Sequence, residues 1–533
     1  MRSGRAFYQP GKDVMKLKFG LFCALSIAPF AFACAGDQAN AQFDGPVFGS
    51  IIETKASHFE SSVELQKRLS EGSLTSAELV HDLLQRIEAL NNNGPALNAV
   101  IEVNPEARRI ATLLDRERSS GKQRGPLHGI PVLVKDNIDT ADKMQTTAGA
   151  LAMAGAPAQY DAFVVQRLRE AGAIIIGKAN LSEWSNFRGS NVPNGWSGRG
   201  GQTRHPYDLA ASPLGSSSGP AVSVAAGFAP LAVGTETNGS IIQPAATSGV
   251  VGVRPTLGLL SRSGMIPISS RQDTPGPMAR TVTDAAIMLT AMSGTDPLDK
   301  ATYQVPGNTV SYVEYLRAGA LRGKRLGYPS KLPDGGFMDD DPAFQKIKRN
   351  LRSAGAILVP VDVPLVSSMA EPAMLMNDFK RELEAYLKTL PGLEVRTLDD
   401  IIAFNVASPG PEGYSQDALI AASGTVVDQA IYFYDATDLR RSHQQLIDGL
   451  LQRHSLDALI DWSESAFGAV GAIAGYPGMN LPVGLDNEGL PKGLYFLSTA
   501  WDEAKLLSYA YALEQVLLAA PSTSISTTVP RED

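Results

Sequence analysis

Three stretches of the chain carry residue types that could do covalent chemistry. Gly215-Ser216-Ser217-Ser218-Gly219 fits G-x-S-x-G, a pattern that raises a serine on a sharp strand-to-helix turn. The residues before it, Asp208 to Leu214, do not read as a strand. Such an elbow also needs a downstream acid and histidine. His443 and His454 are available, but both fall on polar, amphipathic stretches and are predicted to be surface residues. The second stretch, Gly234-Thr235-Glu236-Thr237-Asn238-Gly239-Ser240-Ile241, is a turn of small residues directly after a strand. Successive backbone N–H groups in such a turn can converge on one point, as an oxyanion hole requires, and Ser240 at its end is placed to be a nucleophile. A serine nucleophile needs a base. Without histidine, a lysine serves if burial keeps it neutral. Lys135 ends an apolar run and could be buried. A lysine after a strand is more often solvated, however, and a Gly/Ser run taken alone reads as a flexible loop. These residues by themselves leave the chemistry open.

The elements that would position them follow from periodicity. Residues 61–120 are predicted helical. Val63, Leu65 and Leu69 are spaced for one face, and Thr75 and Glu78 stand at capping-box spacing ahead of Leu79, Leu83, Leu84 and Ile87. Asn91-Asn92-Asn93-Gly94-Pro95 ends that helix, and Ile110, Leu113 and Leu114 mark a third. Gly129 to Val134 is predicted as a short buried strand ending at Lys135. Phe163 to Arg169 reads as helix and Ala173 to Gly177 as another buried strand. Strands without clean alternation, interleaved with helices, indicate an α/β layer fold. Residues 185–220, rich in Gly, Ser, Asn and Pro, are predicted to be a functional loop within one domain, because the strand–helix style continues beyond them. Residues 221–227 are helix-compatible, Leu231 to Gly234 is a short strand, and Gly249 to Leu260 is strand-like. Residues 300–460 read as more helical and polar, with amphipathic stretches at Phe379 to Leu387 and Leu439 to Leu451. Residues 521–533 read as a flexible tail.

Composition narrows the chemistry. The 533 residues are 44% hydrophobic and 19% charged, an ordinary globular balance with length enough for a large core. A net charge of −8 without a basic stripe argues against a nucleic-acid partner. Six histidines, two cysteines and no C-x-x-C or H-E-x-x-H leave little for a metal site. Residues 1–41 read as an export signal. Lys16 and Lys18 precede an apolar run from Phe19 to Ala33, and Ala39-Asn40-Ala41 gives a small-x-small cleavage site before Gln42. Met15 is an alternative start. The run is short for a membrane span of ~20 residues. Cys23 and Cys34 both lie in this segment, so cleavage leaves a chain with neither a disulfide nor a cysteine nucleophile. The expectation is export to a bacterial periplasm or the medium, without stable membrane insertion after cleavage.

Taken together, these stretches resemble the amidase signature family, over about residues 62–515. The resemblance is carried by Gly125-Pro126-Leu127-His128-Gly129-Ile130-Pro131-Val132-Leu133-Val134-Lys135-Asp136-Asn137, Asn180-Leu181-Ser182-Glu183-Trp184 and the 215–240 region. It continues with Gly252-Val253-Arg254-Pro255-Thr256, Gln272-Asp273-Thr274-Pro275-Gly276-Pro277-Met278-Ala279-Arg280 and Ala474-Gly475-Tyr476-Pro477. It is nearest to the peptide amidase-like branch, which shares the Asp273–Arg280 stretch. It implies a single large domain, placed at 42–520, with a central mixed sheet covered by helices. It also implies a Ser–cisSer–Lys triad. Lys135 takes the lysine position and Ser240 the nucleophile position, and the family's spacing selects Ser216 as the bridging serine with a cis peptide. Ser217 then takes a structural place, and the backbone amides of Thr237, Asn238, Gly239 and Ser240 form the oxyanion hole. Leu214 before Gly215, Asn238 in place of a common glycine and Ile242 where arginine is frequent depart from the pattern. The activity implied is hydrolysis of a small-molecule or peptide amide, C-terminal peptide amides included, without cofactor or metal. Ester or carbamate hydrolysis by the same triad, and a silent binding role, stay open. A tRNA-linked amidotransferase role fits poorly with an export signal. The 185–200 loop and residues 365–440 are expected to shape the acyl pocket, with Met374, Met376 and Phe379 either lining it or serving as core.

Overall fold

The computed structural model describes residues 56–519, apart from 308–309, 333–334 and 411. The expected export signal at 1–41 and the tail at 521–533 lie outside the described residues. Among the described residues there are thirteen strands: β1 (Val100–Val103), β2 (Pro131–Lys135), β3 (Ile174–Ala179), β4 (Trp196–Ser197), β5 (Gly201–Gln202), β6 (Leu231–Glu236), β7 (Val251–Arg254), β8 (Thr274–Ala279), β9 (Arg325–Pro329), β10 (Ile357–Val361), β11 (Ala458–Trp462), β12 (Gly478–Leu485) and β13 (Pro491–Leu497). Eleven of them form one sheet in the order β1-β3-β2-β6-β8-β7-β12-β13-β11-β9-β10, while β4 and β5 pair separately.

The sheet is mixed. Strand β2 runs parallel to both β3 and β6. The centre from β6 through β8, β7, β12 and β13 to β11 is antiparallel, and β9 and β10 extend it in parallel. Alternate residues of the central strands feed different cores. Val132, Val134, Ile175, Leu231 and Val233 join one apolar cluster. Leu133, Ile174, Ile176 and Ala232 join the other. That two-residue alternation is what a strand buried on both faces requires. Helices Ser62–Glu71, Phe163–Glu170, Val282–Met292 and Glu503–Ala519 supply the first cluster. Helices Ala107–Ser119, Ser218–Ala225 and part of Gln429–Arg453 supply the second. The result is a single α/β domain with a large mixed sheet covered by helices.

Most local expectations are met. The capping box at Thr75 and Glu78 forms, and β2 ends at Lys135. Four expectations are corrected. Val63 and Leu113 are exposed, since the inward faces of their helices are carried by Leu65 and Leu69 and by Ala107, Ala111 and Leu114. The 300–460 region contributes three sheet strands, β9, β10 and β11. His443 is buried, not a surface residue, with its Nδ1 2.7 Å from the Leu439 carbonyl, because the inward stripe Leu439, His443, Leu446, Ile447 and Leu450 includes it. His454, by contrast, is half-buried at the end of that helix.

Candidate active site

Lys135 is the last residue of β2 and shares strand parity with Leu133, which packs beneath helix Ser218–Ala225. Its side chain is fully buried. The amine meets three oxygens: Ser216 Oγ at 2.7 Å, Thr235 Oγ1 at 2.9 Å and the Thr235 carbonyl at 3.2 Å. Asn137 Nδ2 donates to the same Thr235 hydroxyl at 3.0 Å. Burial drives the Lys135 pKa down to about 7, against the pull of the Asp273 and Glu236 carboxylates. Removing an ammonium from water disfavours its charged form, and hydroxyl neighbours return little of that hydration.

Ser216 stands before the helix Ser218–Ala225, on a peptide bond to Gly215 that is cis. This is the geometry the family resemblance implies. The helix start comes close to the chain at Asn180. A Cβ at Gly219 would collide with the Asn180 carbonyl, which explains the glycine. Ser217 turns away from the amine: its hydroxyl donates to the Thr235 carbonyl at 3.0 Å and accepts from the Thr235 amide at 3.2 Å. The segment before Gly215 forms no strand among the described residues, so the elbow geometry is not built.

Residues 237–240 form the turn between β6 and helix Ile242–Thr247. Gly239, at φ +76°, lets the chain reverse. The Ser217 amide donates to the Ser240 carbonyl at 3.1 Å, so the two serine-bearing turns abut. Exposure falls inward, from 6% at Ser240 to zero at Ser216 and Lys135. Among the described residues, nothing accepts a hydrogen bond from the amides of 237–240. The next two amides, of Ile241 and Ile242, both donate to Glu236 Oε2, at 2.7 and 3.1 Å. Four successive amides without an acceptor give the turn, hereafter the notch, donors to offer to an anion.

The turn is braced from several sides. Glu236 pairs with Arg254 (3.3 Å), both fully buried, and Arg254 also donates to the carbonyls of Glu236, Thr237, Gln272 and Ala472. Thr237 Oγ1 donates to Asp273 Oδ1 at 2.5 Å. Asp273 also accepts from the amides of Ile268 and Ser269, and burial pushes its pKa up to about 6. Asn238 Nδ2 and Gln272 Nε2 both donate to Glu371 Oε1, at 2.8 and 2.9 Å. Periodicity and composition point to none of Thr235, Glu236, Arg254, Asp273 or Glu371. Thr235, Glu236, Arg254 and the Gln272–Asp273 pair do fall inside segments that carry the family resemblance. Phe379 is core, packed on Trp184 and Phe187, and Met374 is buried against Tyr432; Met376 packs at the edge of the Phe379 cluster. Among the described residues, no three of His, Cys, Asp and Glu gather to hold a metal ion.

Known proteins match this arrangement over most of the chain. The family profile described as Amidase matches residues 78–461. A probable amidase of Arabidopsis thaliana is 41% identical, covering 86% of this chain and 90% of its own. A glutamyl-tRNA(Gln) amidotransferase subunit of Halorhodospira halophila is 34% identical, covering 86% of this chain and 97% of its own. The crystal structure of the native peptide amidase from Stenotrophomonas maltophilia superposes with a TM-score of 0.81 at 46% identity, covering 85% of this chain and 96% of that one. A profile match that spans both serine turns and the strand ending at Lys135, with relatives aligned over nearly their full lengths, places this chain in the amidase family.

Proposed function

We propose that this amidase hydrolyses carboxylic amides through an acyl-enzyme on Ser240, with Ser216 and Lys135 as its proton relay, and that C-terminal peptide amides are among its substrates. The observation that carries the relay is the hydrogen-bond count at Lys135. A neutral amine has two N–H groups and one lone pair. The two oxygens of Thr235 take the N–H groups, and the lone pair is left facing the Ser216 hydroxyl. Ser216 then passes its proton inward as it takes one from Ser240, and the Ser240 oxygen attacks the amide carbonyl. The carbonyl oxygen becomes negative and is received by the amides of 237–240, where each lost donor typically costs ~10²–10³ in rate. The relay returns a proton to the departing nitrogen. Water then resolves the acyl-enzyme to a carboxylate, and ammonia or an amine leaves.

The peptide-amide preference is supported by the 46% identity to the Stenotrophomonas maltophilia peptide amidase. The helical layer at 371–423 and the 185–200 loop are the proposed acyl-side walls. Export is proposed from the pattern of residues 16–41, and an exported chain fits poorly with a tRNA-linked amidotransferase role.

The test is a panel of C-terminally amidated peptides, aliphatic amides, anilides and matched esters, read by release of ammonia, amine or alcohol. The expected result is amide turnover that Ser240→Ala and Lys135→Ala both abolish. Turnover surviving Ser240→Ala would transfer the nucleophile to another residue. Ester turnover without amide turnover would overturn the amidase reading.

A further inference from the structure

The notch at 237–240 is held partly by a residue outside the sheet and its serine turns. Glu371 opens the helix Glu371–Leu387, in the layer proposed as an acyl-side wall. Its Oε1 accepts from the side-chain Nδ2 of Asn238, a residue of the 237–240 turn, and from Gln272 Nε2. Gln272 is buried, and its Nε2 also approaches the Thr237 carbonyl at 3.4 Å. One carboxylate oxygen thus joins the turn and the Gln272 segment to the first turn of a helix 133 residues from Asn238 in sequence.

We propose that Glu371 is a positioning residue for the oxyanion notch, holding the 237–240 amides in the direction the transition-state oxygen needs. The inference rests on reading those amides as the oxyanion site. The bond leaves the Asn238 backbone N–H free to point into the notch while its side chain is anchored elsewhere. Without Glu371, both side-chain amides lose their shared acceptor, and the Asn238 side chain can fold back over the notch and occupy it. A preorganised donor acts on charge that develops in the transition state. The loss should therefore fall on kcat and leave KM nearly unchanged. The other braces, Glu236–Arg254 and Thr237–Asp273, come from the sheet and its adjoining loops. Glu371 alone, among the braces described, comes from the helical layer, so it carries changes on the acyl side to the notch.

The experiment compares Glu371→Ala, Glu371→Gln and Asn238→Ala in the whole protein, with Ser240→Ala alongside. It measures kcat and KM for an amidated peptide, and binding of two probes. A peptide aldehyde forms a tetrahedral adduct whose oxygen occupies the notch; the matching peptide acid binds as product. Glu371→Ala is expected to lower kcat by roughly tenfold or more and to weaken the aldehyde by the same factor, leaving the acid unchanged. Glu371→Gln keeps an accepting oxygen and should stay within about threefold of the parent. Asn238→Ala removes one donor and should fall between them, which keeps the test open should Glu371→Ala fail to fold. A folded Glu371→Ala with unchanged kcat and aldehyde affinity overturns the proposal. So does equal weakening of aldehyde and acid, which marks a ground-state contact. If Ser240→Ala keeps turnover, the underlying triad reading fails first.

Discussion

Two lysines on neighbouring strands differ in what surrounds a buried amine. Lys135 ends β2, and Lys178 sits in β3 opposite Val134, one register step away. Both are fully buried, and burial lowers the pKa of each. Registered on Val134, Lys178 leaves the sheet on the face opposite Lys135. Lys178 bonds to the Ile138 carbonyl and to Thr146 Oγ1, and Asp136, Asp139, Asp142 and Glu102 all favour its charged form. Lys135 touches only hydroxyls and a carbonyl, and of its two distant carboxylates Glu236 is already paired with Arg254. Burial is common to both. The surrounding acids oppose that lowering at Lys178, whose amine ties loops together, and their scarcity around Lys135 suits the lone pair that the proposed relay needs.

The comparison can be broken at either lysine. Lys135→Met should lower kcat by about 10⁴-fold or more while the protein stays folded, as loss of a relay member does elsewhere. Lys178→Met should instead cost stability, about 3 kcal/mol, because Asp136 and Asp139 lose their buried cation. Activity per folded molecule should stay close to the parent. Thermal unfolding and active-site-normalised kinetics separate the two; loss of kcat in a well-folded Lys178→Met would erase the distinction.

A pH profile sharpens it further. Below about 7 Lys135 carries a proton and has no lone pair for Ser216. The value of kcat/KM should therefore fall toward tenfold per pH unit on the acid side and level off above. A flat profile from pH 5 to 8 would mean that Lys135 is neutral throughout or is not the base. The smallest effect is expected at Ser217→Ala. Its hydroxyl bonds only the Thr235 backbone, so about 1–2 kcal/mol of stability should be lost with kcat changed only a few-fold. A loss of kcat matching that of Ser216→Ala would put the bridging role on Ser217 instead.

What the sequence disclosed was local. The apolar run ending at Lys135, the small-residue turn ending at Ser240 and the Thr75 cap are all set by neighbours within a few residues, and each stands where its pattern placed it. The serine and lysine turns could be joined beforehand only through the family resemblance. The residues that tune them were hidden because their partners are remote: Thr235 is 100 positions from Lys135, and Glu371 is 133 from Asn238. No periodicity records such a contact. His443 is a different kind of miss. Its four-residue step from Leu439 and three-residue step to Leu446 placed it on the inward stripe, but its polarity outweighed its position. Strands β9 to β11 were obscured by the long helices around them.

The inward ordering of Ser240, Ser216 and Lys135 has a practical side. A reagent arriving from solvent meets the serine hydroxyl and is stopped there, since the amine behind it has no exposed surface. Amine-directed coupling to a resin or polymer, which consumes the lysines on the outside, should spare both Lys135 and Lys178. The fold itself acts as a protecting group. In the proposed mechanism it admits acyl donors to one oxygen and withholds from electrophiles in solution the nitrogen on which that oxygen depends.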